Sequence, residues 1–186
     1  MTAPPADGVF ISYRRSDAGP YARLLKVQLS QHLADAPVFM DLDSIEVGTD
    51  FAEAIEAGVQ SCRVLVALIG ARWLSVRDEQ GHRRLDNPDD FVRFEIRTAL
   101  KRRVRLIPVL VDGATMPQRQ DLPDDLAKLA RLNALQMSYE RYEYDESRLI
   151  AIIGRVLAAG PAGMAETPAG LSSGTVREAR EILGAS

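Results

Sequence analysis

Residues 63–69, Arg-Val-Leu-Val-Ala-Leu-Ile, constrain the fold more than any other stretch. After Arg63 every side chain is apolar, and Gly70 closes the run. A strand with one wet face alternates polar and apolar residues, whereas an unbroken apolar run of this length fits a strand covered on both faces, the habit of parallel sheets. The run at 106–111 repeats the signal. Both are far too short to cross a bilayer, which takes about 20 apolar residues as a helix. Helices must therefore lie on both sides of these strands.

The rest of the chain supplies them. Residues 9–12 read as the first strand. A helix follows, capped by Ser16 or Asp17 and running to about Ala34, with Tyr21, Leu24, Leu25, Gln28 or Leu29, and Leu33 on its apolar side. Pro37 opens a second strand through Asp41, and residues 42–49, with Gly48, form a loop. Asp50 and Glu53 are spaced as a capping pair for a helix through Gly58. After the strand at 63–69, residues 71–88 make a connection longer than usual, the kind that tends to be functional or mobile. Residues 89–102 form an amphipathic helix with Val92, Ile96, Ala99 and Leu100 buried and Glu95 at the border of that stripe. Lys101, Arg102 and Arg103 suit its C-terminal dipole. A strand at 105–111, a turn at Asp112-Gly113, a short helix from Pro123 to about Leu132 and a weak edge strand at 134–137 come next. Asp145 or Glu146 opens a last helix with Leu149, Ile152, Ile153, Val156 and Leu157 inward.

Strand and helix thus alternate five times. This predicts an α/β, flavodoxin-like three-layer sandwich with a five-stranded parallel sheet in the order 2-1-3-4-5. Residues 1–7 are expected to be a disordered leader, 8–159 the domain, 160–174 a linker, and 175–186 a short helix capped by Thr175 and Glu178, the possible start of a further region.

Composition narrows the function. A net charge of −3 argues against a nonspecific nucleic-acid binder. The one cysteine, Cys62, can make no intramolecular disulfide, and no Cys/His spacing suggests zinc. A reducing, cytoplasmic setting fits. The N-terminal residues lack a basic region followed by an apolar stretch, so no signal peptide is expected there.

In an open parallel sheet, ligands bind beyond the carboxyl ends of the strands. Here those ends carry neither Gly-x-Gly-x-x-Gly nor a Walker A loop. Asp41 and Asp43 could hold a hard metal, but carboxylates entering a capped loop are more often structural. His32 and His82 have no neighbouring nucleophile. Arg14 and Arg15, directly after the first strand, suit phosphate oxygens, which guanidinium groups bind bidentately. They equally fit a surface pair linked to Asp17 or Glu46, and position alone does not choose.

Four blocks in order carry a family resemblance: Phe10-Ile11-Ser12-Tyr13-Arg14-Arg15, Val38-Phe39-Met40-Asp41, Ile45-Glu46-Val47-Gly48, and Asp90-Phe91-Val92-Arg93-Phe94-Glu95-Ile96. Together they resemble a Toll/interleukin-1 receptor (TIR) domain from about Gly8 to Leu157, closest to bacterial TIR domains and to the NAD-consuming animal TIR domain of axon degeneration. The resemblance implies that residues 41–51 form the mobile loop beside the site. It implies that Glu95 matches the catalytic glutamate of NAD-cleaving members, and that Arg14, Arg15 and Glu46 match positions lining the nucleotide site. Many enzymatic members carry Trp where this chain has Phe91, which can still stack on a ring but offers no indole N–H. Trp73, which follows the third strand, is the candidate to supply an aromatic wall instead, against the plainer reading of core or loop packing. The implied activity is cleavage of the ribose–nicotinamide bond of NAD⁺, giving ADP-ribose or a cyclic product. NAD⁺ is then substrate, with no cofactor or metal, and other TIR domains are the partners, with no nucleic acid and no membrane. A role in bacterial antiphage immunity is implied by resemblance alone. The rival class is a non-catalytic TIR–TIR scaffold, which needs neither a carboxylate at 95 nor the arginine pair.

Overall fold

The computed structural model describes residues 7–33, 35–40 and 50–159. The expectations for residues 1–6, for Asp41, Asp43 and Glu46 in the loop, and for the linker and helix after 159 lie outside them. Strands β1 (Gly8–Ser12), β2 (Val38–Met40), β3 (Cys62–Ile69), β4 (Arg105–Leu110) and β5 (Leu135–Gln136) form one sheet in the order β2-β1-β3-β4-β5. Every pairing is parallel. All eight residues of β3 are buried, as its unbroken apolar run demands.

Alternate strand residues feed two cores. Val9, Ile11, Val64, Val66, Leu68, Ile107 and Val109 pack against helices α1 (Arg15–His32) and α4 (Tyr142–Ala158). Phe10, Leu65, Ala67, Ile69, Leu106 and Leu110 pack against α2 (Phe51–Gln60) and α3 (Phe91–Arg102). The result is the expected α/β three-layer sandwich.

Four local readings need correction. The buried face of α1 is Ala18, Ala22, Leu25 and Leu29, while Leu24 is exposed. The alanines let the helix lie close to the sheet, and the larger Leu24 is turned outward. Neither Ser16 nor Asp17 caps this helix; it begins after Arg14, and Asp17 lies in its first turn. Second, the segment expected as a helix from Pro123 is two 3₁₀ turns, Asp124–Leu126 and Leu129–Arg131. Its apolar anchors Leu126, Leu129 and Leu132 recur every three residues, a spacing that eclipses in 3₁₀ turns and drifts by about 60° per step around an α-helix. Third, α4 starts at Tyr142, three residues before Asp145. The buried Asp145 carboxylate accepts from Ser138 N–H at 3.2 Å and from Arg141 Nη2 at 3.2 Å, reaching back past the helix start. Last, the 71–88 connection carries regular structure: Arg77 and Arg83 form a β-bridge, and a 3₁₀ turn, Arg84–Asp86, buries Leu85.

Candidate active site at the start of α3

The carboxyl ends of β1 and β3 meet the N-terminus of α3. Asp90 is the N-cap of α3, and its Oδ1 accepts from Arg93 N–H at 3.1 Å, satisfying one of the donors a helix start leaves open. The same carboxylate accepts from Arg14 Nη1 and Nη2, each at 3.0 Å, and from Arg84 Nε at 3.0 Å. Those four bonds fill the acceptor capacity of a carboxylate. Arg14 Nε donates to the Trp73 carbonyl at 3.2 Å, and its guanidinium lies 5.8 Å from the Trp73 ring centroid.

This gives Arg14 a different occupation from the expected diphosphate contact. Its bidentate edge is filled by Asp90, and only 2% of its side chain is exposed. Nor is it the surface partner of Asp17: the Asp17 carboxylate accepts from Gly70 N–H at 3.0 Å and Arg72 N–H at 2.9 Å, tying α1 to the end of β3. Arg15, the first residue of α1, is exposed. Trp73 is 1% exposed and belongs to the core, so it cannot form a ligand-facing wall. Phe91 is 46% exposed.

Glu95 is 7% exposed, deeper than the stripe border that periodicity assigns it. It stands one helical turn beyond Phe91, so the two side chains share one flank of α3. Val92, Ile96 and Ala99 anchor that helix in the core beside it. Ser12, at the end of β1, pairs in register with Ala67 and so faces the α3 layer; its Oγ is buried and finds no hydrogen-bond partner. The structure therefore ties Arg14 to Asp90 at the start of α3, with Phe91 and Glu95 on its first turns, and packs Trp73 against Arg14 in the core.

Sequence reasoning missed Asp90 as the residue that holds this arrangement together. The signal was present: an Asp immediately before an apolar-periodic run is an N-cap pattern. Its second role, as acceptor for an arginine 76 residues away, has no local trace.

Among the described residues no group of three His, Cys, Asp or Glu side chains could hold a metal, and no helix is long and apolar enough to cross a membrane. An open groove of about 850 Å³ between the starts of α1 and α4, lined by Tyr21, Leu24, Tyr139, Tyr142 and Tyr144, lies on the other side of the sheet from α3.

Residues 9–150 match the TIR domain family. The chain is 31% identical over 150 residues to "NAD(+) hydrolase SARM1" of Danio rerio, covering 81% of this chain and 20% of that protein. It is 29% identical over 134 residues to "NAD(+) hydrolase sarm1" of Drosophila melanogaster, covering 71% and 9%. The chain thus spans a fifth or less of these curated relatives. Among solved structures it resembles the TIR domains of the activated Roq1 resistosome, with a TM-score of 0.55 at 17% identity, covering 80% of this chain and 98% of that one. A TIR-STING receptor from C. gigas matches with a TM-score of 0.53 at 14% identity, covering 84% and 41%. These two structural likenesses speak for the fold.

Proposed function

The chain belongs to the TIR domain family, and on that premise we propose that it is an NAD⁺ nucleosidase with Glu95 as its catalytic residue. The observation that carries the reading is the pairing of a nearly buried carboxylate with an exposed aromatic ring, Glu95 and Phe91, one turn apart at the carboxyl edge of a parallel sheet. Two relatives that match over most of this chain carry the name NAD(+) hydrolase.

The chemistry asks little of the protein. The bond from ribose C1′ to the nicotinamide nitrogen breaks heterolytically. Its electron pair leaves with nicotinamide, whose ring was cationic and departs neutral, so no general acid is needed. An oxocarbenium-like centre remains on the sugar. Glu95, itself nearly buried, stabilises that developing charge, and a carboxylate shielded from water is worth most there. It also holds the ribose hydroxyls. Water then adds at C1′ and loses a proton, giving ADP-ribose; attack by the adenine ring gives a cyclic product. Phe91 flanks a ring of the substrate, and Arg15, exposed at the start of α1, contacts the diphosphate. Activity depends on assembly with further TIR domains. The test is to bring copies together, by fusion to an oligomerising domain, and follow nicotinamide release from NAD⁺. A clustered, folded chain that releases none contradicts the reading.

A further inference from the structure

We propose that Arg14 and Asp90 form a positioning clamp that fixes the first turn of α3, and so the carboxylate of Glu95, and that Arg14 does not bind substrate. The inference rests on the nucleosidase reading for its catalytic half. The Arg14 side chain departs from the end of β1, where its own carbonyl accepts the first helical N–H bonds of α1, from Asp17 at 2.9 Å and Ala18 at 2.9 Å. It crosses to Asp90 with two bonds of 3.0 Å and takes the carbonyl of Trp73 with a third. One side chain thereby fixes three pieces of chain relative to each other: the starts of α1 and α3, and the segment after β3. Glu95 follows Asp90 by five residues, about 7.5 Å along the axis at 1.5 Å per residue. A shift of the helix start carries the carboxylate with it.

Buried ion pairs are poor contributors of net stability, because desolvation offsets most of the attraction. Their value is directional. The planar guanidinium offers two parallel donors and a third at a fixed angle, and an ammonium cannot reproduce that fork. Displacements of about 1 Å at a reacting group can lower turnover about 100-fold.

The test is Arg14→Lys, which keeps the charge and loses the fork, with Asp90→Asn as the second variant. For the clustered chain the clamp predicts a fall in kcat for nicotinamide release of about 10- to 100-fold with KM for NAD⁺ within about twofold. It also predicts local loosening. The amides of Arg93 and Phe94, which donate to Asp90 in this structure, should exchange with solvent at least about tenfold faster, while those of Thr98 to Leu100 keep their protection. A rise in KM with kcat retained marks Arg14 as a diphosphate ligand and overturns the proposal. Unchanged exchange at Arg93 and Phe94 overturns it too. If the clustered wild type releases no nicotinamide, the nucleosidase reading falls together with the catalytic half, and the exchange measurement alone upholds or overturns the clamp.

Discussion

Arg14 and Asp90, 76 residues apart, face each other through two parallel N–H···O bonds of 3.0 Å, with 2% and 1% of their side chains exposed. Removing Asp90 leaves Arg14 charged and buried with only the Trp73 carbonyl, whereas removing Arg14 takes two of the four bonds from Asp90 and leaves it Arg84 and the Arg93 amide. Arg14→Leu is therefore expected to cost about 1–3 kcal/mol, because Arg84 still pairs with Asp90, whereas Arg14→Leu with Asp90→Asn costs clearly less than the sum of the single changes. Urea unfolding of the four chains measures the coupling. Additive effects contradict the pairing.

The two aromatic residues near the helix start should separate cleanly. Trp73 is enclosed and Phe91 is about half exposed. Trp73→Ala is expected to cost about 3–5 kcal/mol of stability through the cavity it leaves. Phe91→Ala should change stability by about 1 kcal/mol or less while raising KM for NAD⁺. Thermal unfolding beside initial-rate kinetics checks both, and an unaltered KM in Phe91→Ala removes that ring from the site.

Gly70 and Asp17 form a second tie at the carboxyl edge. A Cβ at position 70 would stand 2.5 Å from Asp17 Oδ2, far inside contact distance. Gly70→Ala should destabilise by about 1–3 kcal/mol. The same change made on an Asp17→Ala background should cost less, because the clashing carboxylate is gone. An equal cost on both backgrounds would mean that the strain arises elsewhere.

The layered architecture was legible because β3 and β4 advertise burial on both faces, and because Val92, Ile96 and Ala99 keep an unbroken helical period. Periodicity put Glu95 only at the border of the apolar stripe, where a rim residue paired with an arginine fits as well, and the family resemblance singled it out; its depth depends on how closely α3 lies on the sheet. Core packing, the plainer reading of Trp73, is what its burial agrees with. Arg14 was the hardest case. A phosphate site and an ion pair ask for the same guanidinium, and only the fold brings Asp90 to it. Alanines on α1 were overlooked for a related reason: small residues mark close approach, which a count of large apolar side chains ignores.

A pH effect is expected away from the candidate site. Glu146 is buried on α4, and burial raises its pKa above the ordinary value of 4.5, with the Tyr142 hydroxyl donating to Oε1 at 3.2 Å and His32 acting in the opposite direction. The folded chain thus holds this proton more tightly than the unfolded chain. The stability it contributes is complete below the unfolded value and is lost as pH climbs through the raised folded one. Glu146→Gln removes that loss, so the variant should gain on the wild type as pH rises from about 4 towards about 7. Denaturant midpoints across that range check the sign; a variant that loses ground with rising pH contradicts it.

The central claim turns on one carboxylate. Glu95→Gln keeps the size and hydrogen-bonding shape of the side chain and removes its charge. In a clustered preparation that remains folded by circular dichroism, nicotinamide release from NAD⁺ should fall by at least about 100-fold, the scale of a lost electrostatic stabiliser, with KM little changed. Release at the wild-type rate from folded Glu95→Gln would contradict the account.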